Sequence, residues 1–106
     1  MGQFVIVAYR PKAGKEAELL DLLKIHVPTL QGEGLATERT PYVMRAADGT
    51  IVEIFEWQSA EAIEGAHHNK VVMEMWEKFW AVCEIDELAN LEESKRKFSP
   101  FVPVDF

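Results

Sequence analysis

The chain holds one cysteine, Cys83, in 106 residues. No intrachain disulfide can form, which sets aside the stapled secreted scaffolds and fits a reducing compartment. Long apolar runs are missing too: none reaches the ~18 residues that a membrane span needs. The opening MGQFVIVAYR lacks a basic n-region, so it does not read as a signal peptide. Ile6 stands where a myristoylation motif has Ser or Thr. Positive charge is scarce. Eleven Lys and Arg face eighteen Asp and Glu, the formal net charge is −7, and the one basic cluster is KRK at 95–97. That balance argues against nucleic acid and against an anionic membrane surface as partners. No linker, low-complexity tract or repeat interrupts the sequence. These absences leave a soluble cytoplasmic protein with a single domain over 1–106.

What is present is apolar. Hydrophobic residues make up 48%, with three Trp, six Phe and two Tyr. This is generous for a lone small domain and implies that some of it is buried against a partner. QFVIVAY, 3–9, is a continuous run rich in β-branched residues and reads as a central strand buried on both faces. KEAELLDLLKIHV, 15–27, places Leu19, Leu20, Leu23 and Val27 on one helical stripe. Pro28 ends or kinks that helix, and QGEG at 31–34 is a loop. Asp48-Gly49 is a type I′ hairpin signal, so strands over 38–47 and 50–58 pair antiparallel. Pro41 makes the first of these an edge strand.

Ser59 caps a short helix that breaks near Gly65, and Asn69 caps the next, KVVMEMWEKFWAVC. Val72, Trp76, Phe79 and Cys83 share a stripe of that second helix. A fourth strand falls within 82–88, and NLEESKRK forms a last helical turn. FSPFVPVDF, 98–106, is an apolar arm that Pro100 and Pro103 hold extended. Left in water it would be an association hazard, so it is expected along a partner subunit or over a pocket mouth. The order is β-α-β-β-α-β, an α+β plan of ferredoxin-like type with an antiparallel sheet and the first and third strands central.

A two-residue loop at Asp48-Gly49 opposes Ala47 to Thr50. Met44 then faces Glu53, Tyr42 faces Phe55 and Thr40 faces Trp57. Alternation puts Thr40, Tyr42, Met44, Ala46, Ile51, Glu53, Phe55 and Trp57 on one sheet face, aromatic and with a single acid. The other face carries Val43, Arg45, Val52, Ile54 and Glu56, with Arg39 diagonal to Glu56. Helices of this plan cover one face only. The apolar residues of the second imply a homodimer in which two sheets pack face to face.

RPKAGKEAELLDLL, DGTIVEIFEWQSAEAI and HHNKVVMEMWEKF together resemble the antibiotic-biosynthesis-monooxygenase-like family of dimeric α+β barrels. The shared features are a strand running into a Pro-Gly turn and helix, a strand ending in Glu-Trp-x-Ser, and a His before the last helix. The resemblance spans roughly 3–90. It implies a homodimer with a pocket in each subunit between the sheet and its own helices. Some members oxidise aromatic polyphenols with O₂ and no metal or flavin, others degrade haem, and many have no known activity. The polyphenol oxidisers have an Asn four residues before the Trp. Trp57 matches, but Glu53 occupies the Asn position. The haem-degrading branch has an Asn on the first strand, which QFVIVAY lacks, and its Trp and His positions fall on Ala66 and Trp76.

The candidate site therefore comprises Glu53, His67 and His68 as catalytic groups, with Tyr42, Met44, Phe55, Trp57 and Trp76 lining a pocket for a small apolar or aromatic ligand. Desolvation would suit Glu53 to act as a base toward a phenol or enol proton, although the pattern also fits an ordinary strand glutamate that reaches solvent or pairs with a lysine. Trp57 can stack on a flat ligand or simply pack a strand end. His67 and His68 diverge by ~100° on a helix, so at most one faces the pocket. Val71 and Val72 occupy their i+4 positions, so neither metal nor cofactor is expected. Trp76, Phe79 and Trp80 read as core and pocket lining, and Cys83 as a small buried residue. His26, beside Pro28, reads as surface or cap. The acids at 84, 86, 87, 92 and 93 read as a solvated face. Three functions remain open: a cofactor-independent monooxygenase, a non-catalytic metabolite-binding or structural dimer, and an isomerase or lyase using the same base without O₂.

Overall fold

β1 (Gln3–Pro11) pairs antiparallel with both β3 (Ile51–Trp57) and β4 (Cys83–Asp86) in the computed structural model, which describes residues 2–106. β2 (Tyr42–Arg45) lies on the far side of β3, and a short β5 (Val102–Pro103) lies outside β2. The sheet order is β4-β1-β3-β2-β5, wholly antiparallel. Three helices complete this α+β fold: α1 (Glu16–Gly32), α2 (Ala60–Ala66) and α3 (Lys70–Val82). None is long and apolar enough, among the described residues, to cross a membrane.

Pro28 does not end α1. The helix runs four residues further, to Gly32. The ring removes one donor near the end of the helix, and burial of Val27 and Leu30 secures the last turns. The break between α2 and α3 falls where the sequence places it. Ser59 Oγ accepts from Ala62 N at 3.1 Å, and Asn69 Oδ1 accepts from Val72 N at 3.1 Å. Each side chain supplies an acceptor to an N-terminal amide that the helix itself cannot satisfy.

The hairpin corrects the expected register. Its loop has three residues, Ala47-Asp48-Gly49, closed by Ala46 N to Thr50 O at 2.8 Å and Gly49 N to Ala46 O at 3.0 Å. Ala47 and Asp48 make the turn and Gly49, at φ 92°, supplies the left-handed residue after it. Two contacts hold this tip. Asp48 Oδ1 accepts from Thr50 N, and the buried carboxylate of Glu93 accepts from Ala47 N, both at 2.8 Å. Val43 thus opposes Glu53 and Tyr42 opposes Ile54. One residue of slip exchanges the faces of a strand. Tyr42 and Met44 accordingly leave the face of Glu53, Phe55 and Trp57, and Val43 joins it. Glu93, expected in solvent, is an internal strut.

The helices pack on the face formed by Val5, Val7, Tyr9, Val43, Ile51, Phe55 and Trp57. The opposite face is covered at one end by the chain's own C-terminal segment. Leu91 is fully buried there against Ala8, Ala46 and Val52, with Met44, Leu88 and Phe101 around it. The rest of that face stays open: Phe4 is 58%, Ile6 48% and Tyr42 69% exposed. β1 is therefore not buried on both faces along its length. Part of the arm 98–106 is placed on the chain's own sheet. Its Val102–Pro103 form β5, and Val104 N donates to Val43 O at 2.9 Å, so this stretch takes the sheet edge beyond β2.

Candidate functional site

A cavity of about 340 Å³ opens between the helix-facing side of the sheet and α3. Val5, Val7, Phe55 and Trp57 form its sheet wall, and Trp76, Phe79 and Trp80 its α3 wall. Alternation along β1 and β3 aims the first set at α3. The 76, 79, 80 spacing aims the second back at the sheet. Phe55 and Trp57 stand 5.2 Å apart at ring centres, and Trp57 meets Trp76 edge-on at 6.5 Å. Ile85, half-exposed on β4, flanks the same space.

Tyr9 and His26 complete the lining, and both are buried. They belong to a chain of hydrogen bonds. Trp76 Nε1 donates to His26 Nε2 at 3.2 Å. His26 Nδ1 lies 2.8 Å from Glu53 Oε1, and Tyr9 Oη donates to the same oxygen at 2.7 Å. The indole can only donate, so His26 Nε2 is the acceptor and Nδ1 carries the proton. Glu53 is 0% exposed and does not line the cavity; it lies behind Tyr9 and His26. Its Oε2 makes no hydrogen bond among the described residues. Burial, and next the charge of Glu53, push the Tyr9 phenol well above its ordinary value, so its hydroxyl stays a donor.

Phe55, Trp57, Trp76 and His67 are brought together at the cavity. The ring of His67 packs edge-on against Trp76 at 5.4 Å, and its Nδ1 donates to Ile63 O at 2.9 Å. His68 faces solvent and pairs with Glu64 at 3.3 Å. Only His67 of the two reaches the cavity. Tyr42 and Met44 do not, because of the hairpin register. Cys83 is buried as expected: burial pushes its thiol up to about 11, and Sγ donates to Phe79 O at 3.1 Å.

Tyr9 and His26 were not anticipated as site residues. Signals for both exist. His26 lies three residues beyond Leu23 and seven beyond Leu19, on the buried stripe of α1. Tyr9 follows Val5 and Val7 in the period-2 pattern of β1. Among the described residues no three His, Cys, Asp or Glu side chains gather as metal ligands would.

The arrangement combines flat aromatic walls with one polar end. The walls can stack on a planar ligand. At the polar end a histidine backed by a carboxylate can take up a proton from an acidic group on that ligand. Comparison with protein-family models, curated proteins and solved structures finds no significant match.

Proposed function

We propose that this chain is a homodimeric α+β barrel of the antibiotic-biosynthesis-monooxygenase-like kind, which binds a small, flat, mostly apolar aromatic molecule and activates it for oxidation by O₂. The observation that carries this reading is the aromatic cavity with the His26–Glu53 pair at its polar end. His26 would accept the ligand proton, Glu53 would act behind it, and Trp57 would stack on the ring. The strand-helix order, with β4-β1-β3-β2 across the sheet, supports the ferredoxin-like plan of that family. Open apolar side chains at Phe4, Ile6 and Tyr42 support a second copy on the outer sheet face.

A second reading, ligand binding without turnover, is favoured by Trp76, whose indole N–H already occupies His26 Nε2. One experiment separates the two. Phenols and naphthols are titrated against tryptophan fluorescence while oxygen uptake is recorded. Saturable quenching with oxygen uptake, both weakened by Trp57→Ala, supports the oxidase reading. Quenching without uptake supports the binder, and no quenching by any of them refutes both.

A further inference from the structure

We infer that Trp76 is a latch on His26, and that the polar end of the cavity selects neutral ligands carrying a hydrogen-bond donor. This rests on the cavity being the ligand site. Glu53 Oε1 accepts hydrogen bonds from both Tyr9 Oη and His26 Nδ1. Those two groups can then offer a ligand only lone pairs, on the Tyr9 oxygen and on His26 Nε2. The second of these is held by the Trp76 indole at 3.2 Å, at the long end of the hydrogen-bond range and so readily exchanged. Among the described residues no lysine or arginine lines the cavity to receive an anion. A carboxylate or a pure acceptor would meet lone pairs and buried aromatic surface. A hydroxyl or amino group would replace the indole N–H on His26 Nε2 and keep that nitrogen paired, while the freed, part-buried indole N–H turns to the ligand's own heteroatom or to water. Glu53 and Tyr9 are the positioning residues that hold His26 in this tautomer.

The test uses five probes on the full chain: 1-naphthol, 1-naphthylamine, 1-methoxynaphthalene, naphthalene and 1-naphthoate. The two donors should bind about tenfold more tightly than the methoxy compound, the gain from one well-made hydrogen bond, and the carboxylate should bind weakest. Trp76→Phe keeps an aromatic side chain but removes the N–H together with part of the wall, so the readout is the ratio: 1-naphthol should gain several-fold over 1-methoxynaphthalene, which shares any effect of the lost volume. Nitrogen-15 spectra of the wild-type protein give a readout independent of any variant. His26 should show its proton on Nδ1 and an unprotonated Nε2, and the Trp76 indole signal should move with 1-naphthol but not with naphthalene. Equal affinities for 1-naphthol and 1-methoxynaphthalene would overturn the latch and leave the cavity as a ligand site. So would a proton found on Nε2. No binding by any of the five would overturn both.

Discussion

Replacing Tyr9 by Phe removes one oxygen from the protein and tests the buried network directly. The hydroxyl donates to Glu53 Oε1 at 2.7 Å. Glu53 is fully buried, and among the described residues its Oε2 has no partner and the one other donor to the carboxylate is His26 Nδ1. Tyr9→Phe therefore halves the support of a carboxyl that water does not reach. A hydrogen bond to a charged group contributes ~1.5–3 kcal/mol. The phenyl ring keeps its stacking on Phe79, at 5.5 Å and 29°, so little packing is lost. Relief from burying the hydroxyl itself offsets part of the loss. The expected cost is ~2 kcal/mol. In a urea titration with a slope of ~1–3 kcal/mol/M, the midpoint falls by about 1 M at fixed protein concentration. Adding Glu53→Gln to form a double-mutant cycle should reveal a coupling of ~0.5–3 kcal/mol between the two positions. A Tyr9→Phe protein within ~0.5 kcal/mol of wild type, the range of an ordinary surface change, would refute the reasoning.

Burial raises the thiol of Cys83 from 9.0 to about 11 and the phenol of Tyr9 above 10.0, so both ionise more readily in the unfolded chain than in the folded one. Their contribution to stability is complete below about pH 9 and is lost as pH rises toward 11 and beyond, so urea midpoints should begin to fall there; Tyr9→Phe should flatten the part of the slope above about pH 10. Gly49→Ala should destabilise by ~1 kcal/mol through its φ of 92° alone, because an added Cβ would meet nothing within 4 Å; an unchanged thermal midpoint would contradict the three-residue turn. Deleting residues 101–106 removes β5 and uncovers Met44 and Leu88, at a cost of ~2 kcal/mol for the apolar area exposed. β5 and β4 are opposite edges of the sheet, so ligand affinity at the cavity should be unchanged, and a large loss would show that the arm reaches it.

Local signals located the elements well where a single residue decides. Ser59 and Asn69 mark helix starts because each supplies an acceptor that the backbone lacks. The strand order follows from the alternation of strands and helices. The hairpin register is a different kind of problem. Asp-Gly suits a two-residue turn and also the three-residue turn found here, and both satisfy Gly49 with a positive φ. The choice is tied to Glu93, 46 residues away, whose carboxylate binds Ala47 N. No local pattern carries that contact. The same long-range segment hides Leu91 under the outer sheet face, where the sequence suggested only a solvated acidic stretch.

The site was half legible for a related reason. Aromatic walls follow from periodicity, so Phe55, Trp57 and Trp76 were in reach. Glu53 stood out as the one acid among them, and a buried acid demands partners. Finding those partners needs two registers at once. β1 must pair with β3 so that Val7 opposes Glu53, which brings Tyr9 onto the same face two residues along. α1 must also continue past Pro28, because Leu30 secures the turn that follows His26 and Val27. Pro28 as an end or a kink of the helix makes His26 a surface or cap residue and gives Glu53 no donor. The acid then reads either as the base itself or as an ordinary strand glutamate. A helix carried through the proline supplies the missing donor, sets the acid behind the wall, and makes His26 the group that faces the cavity.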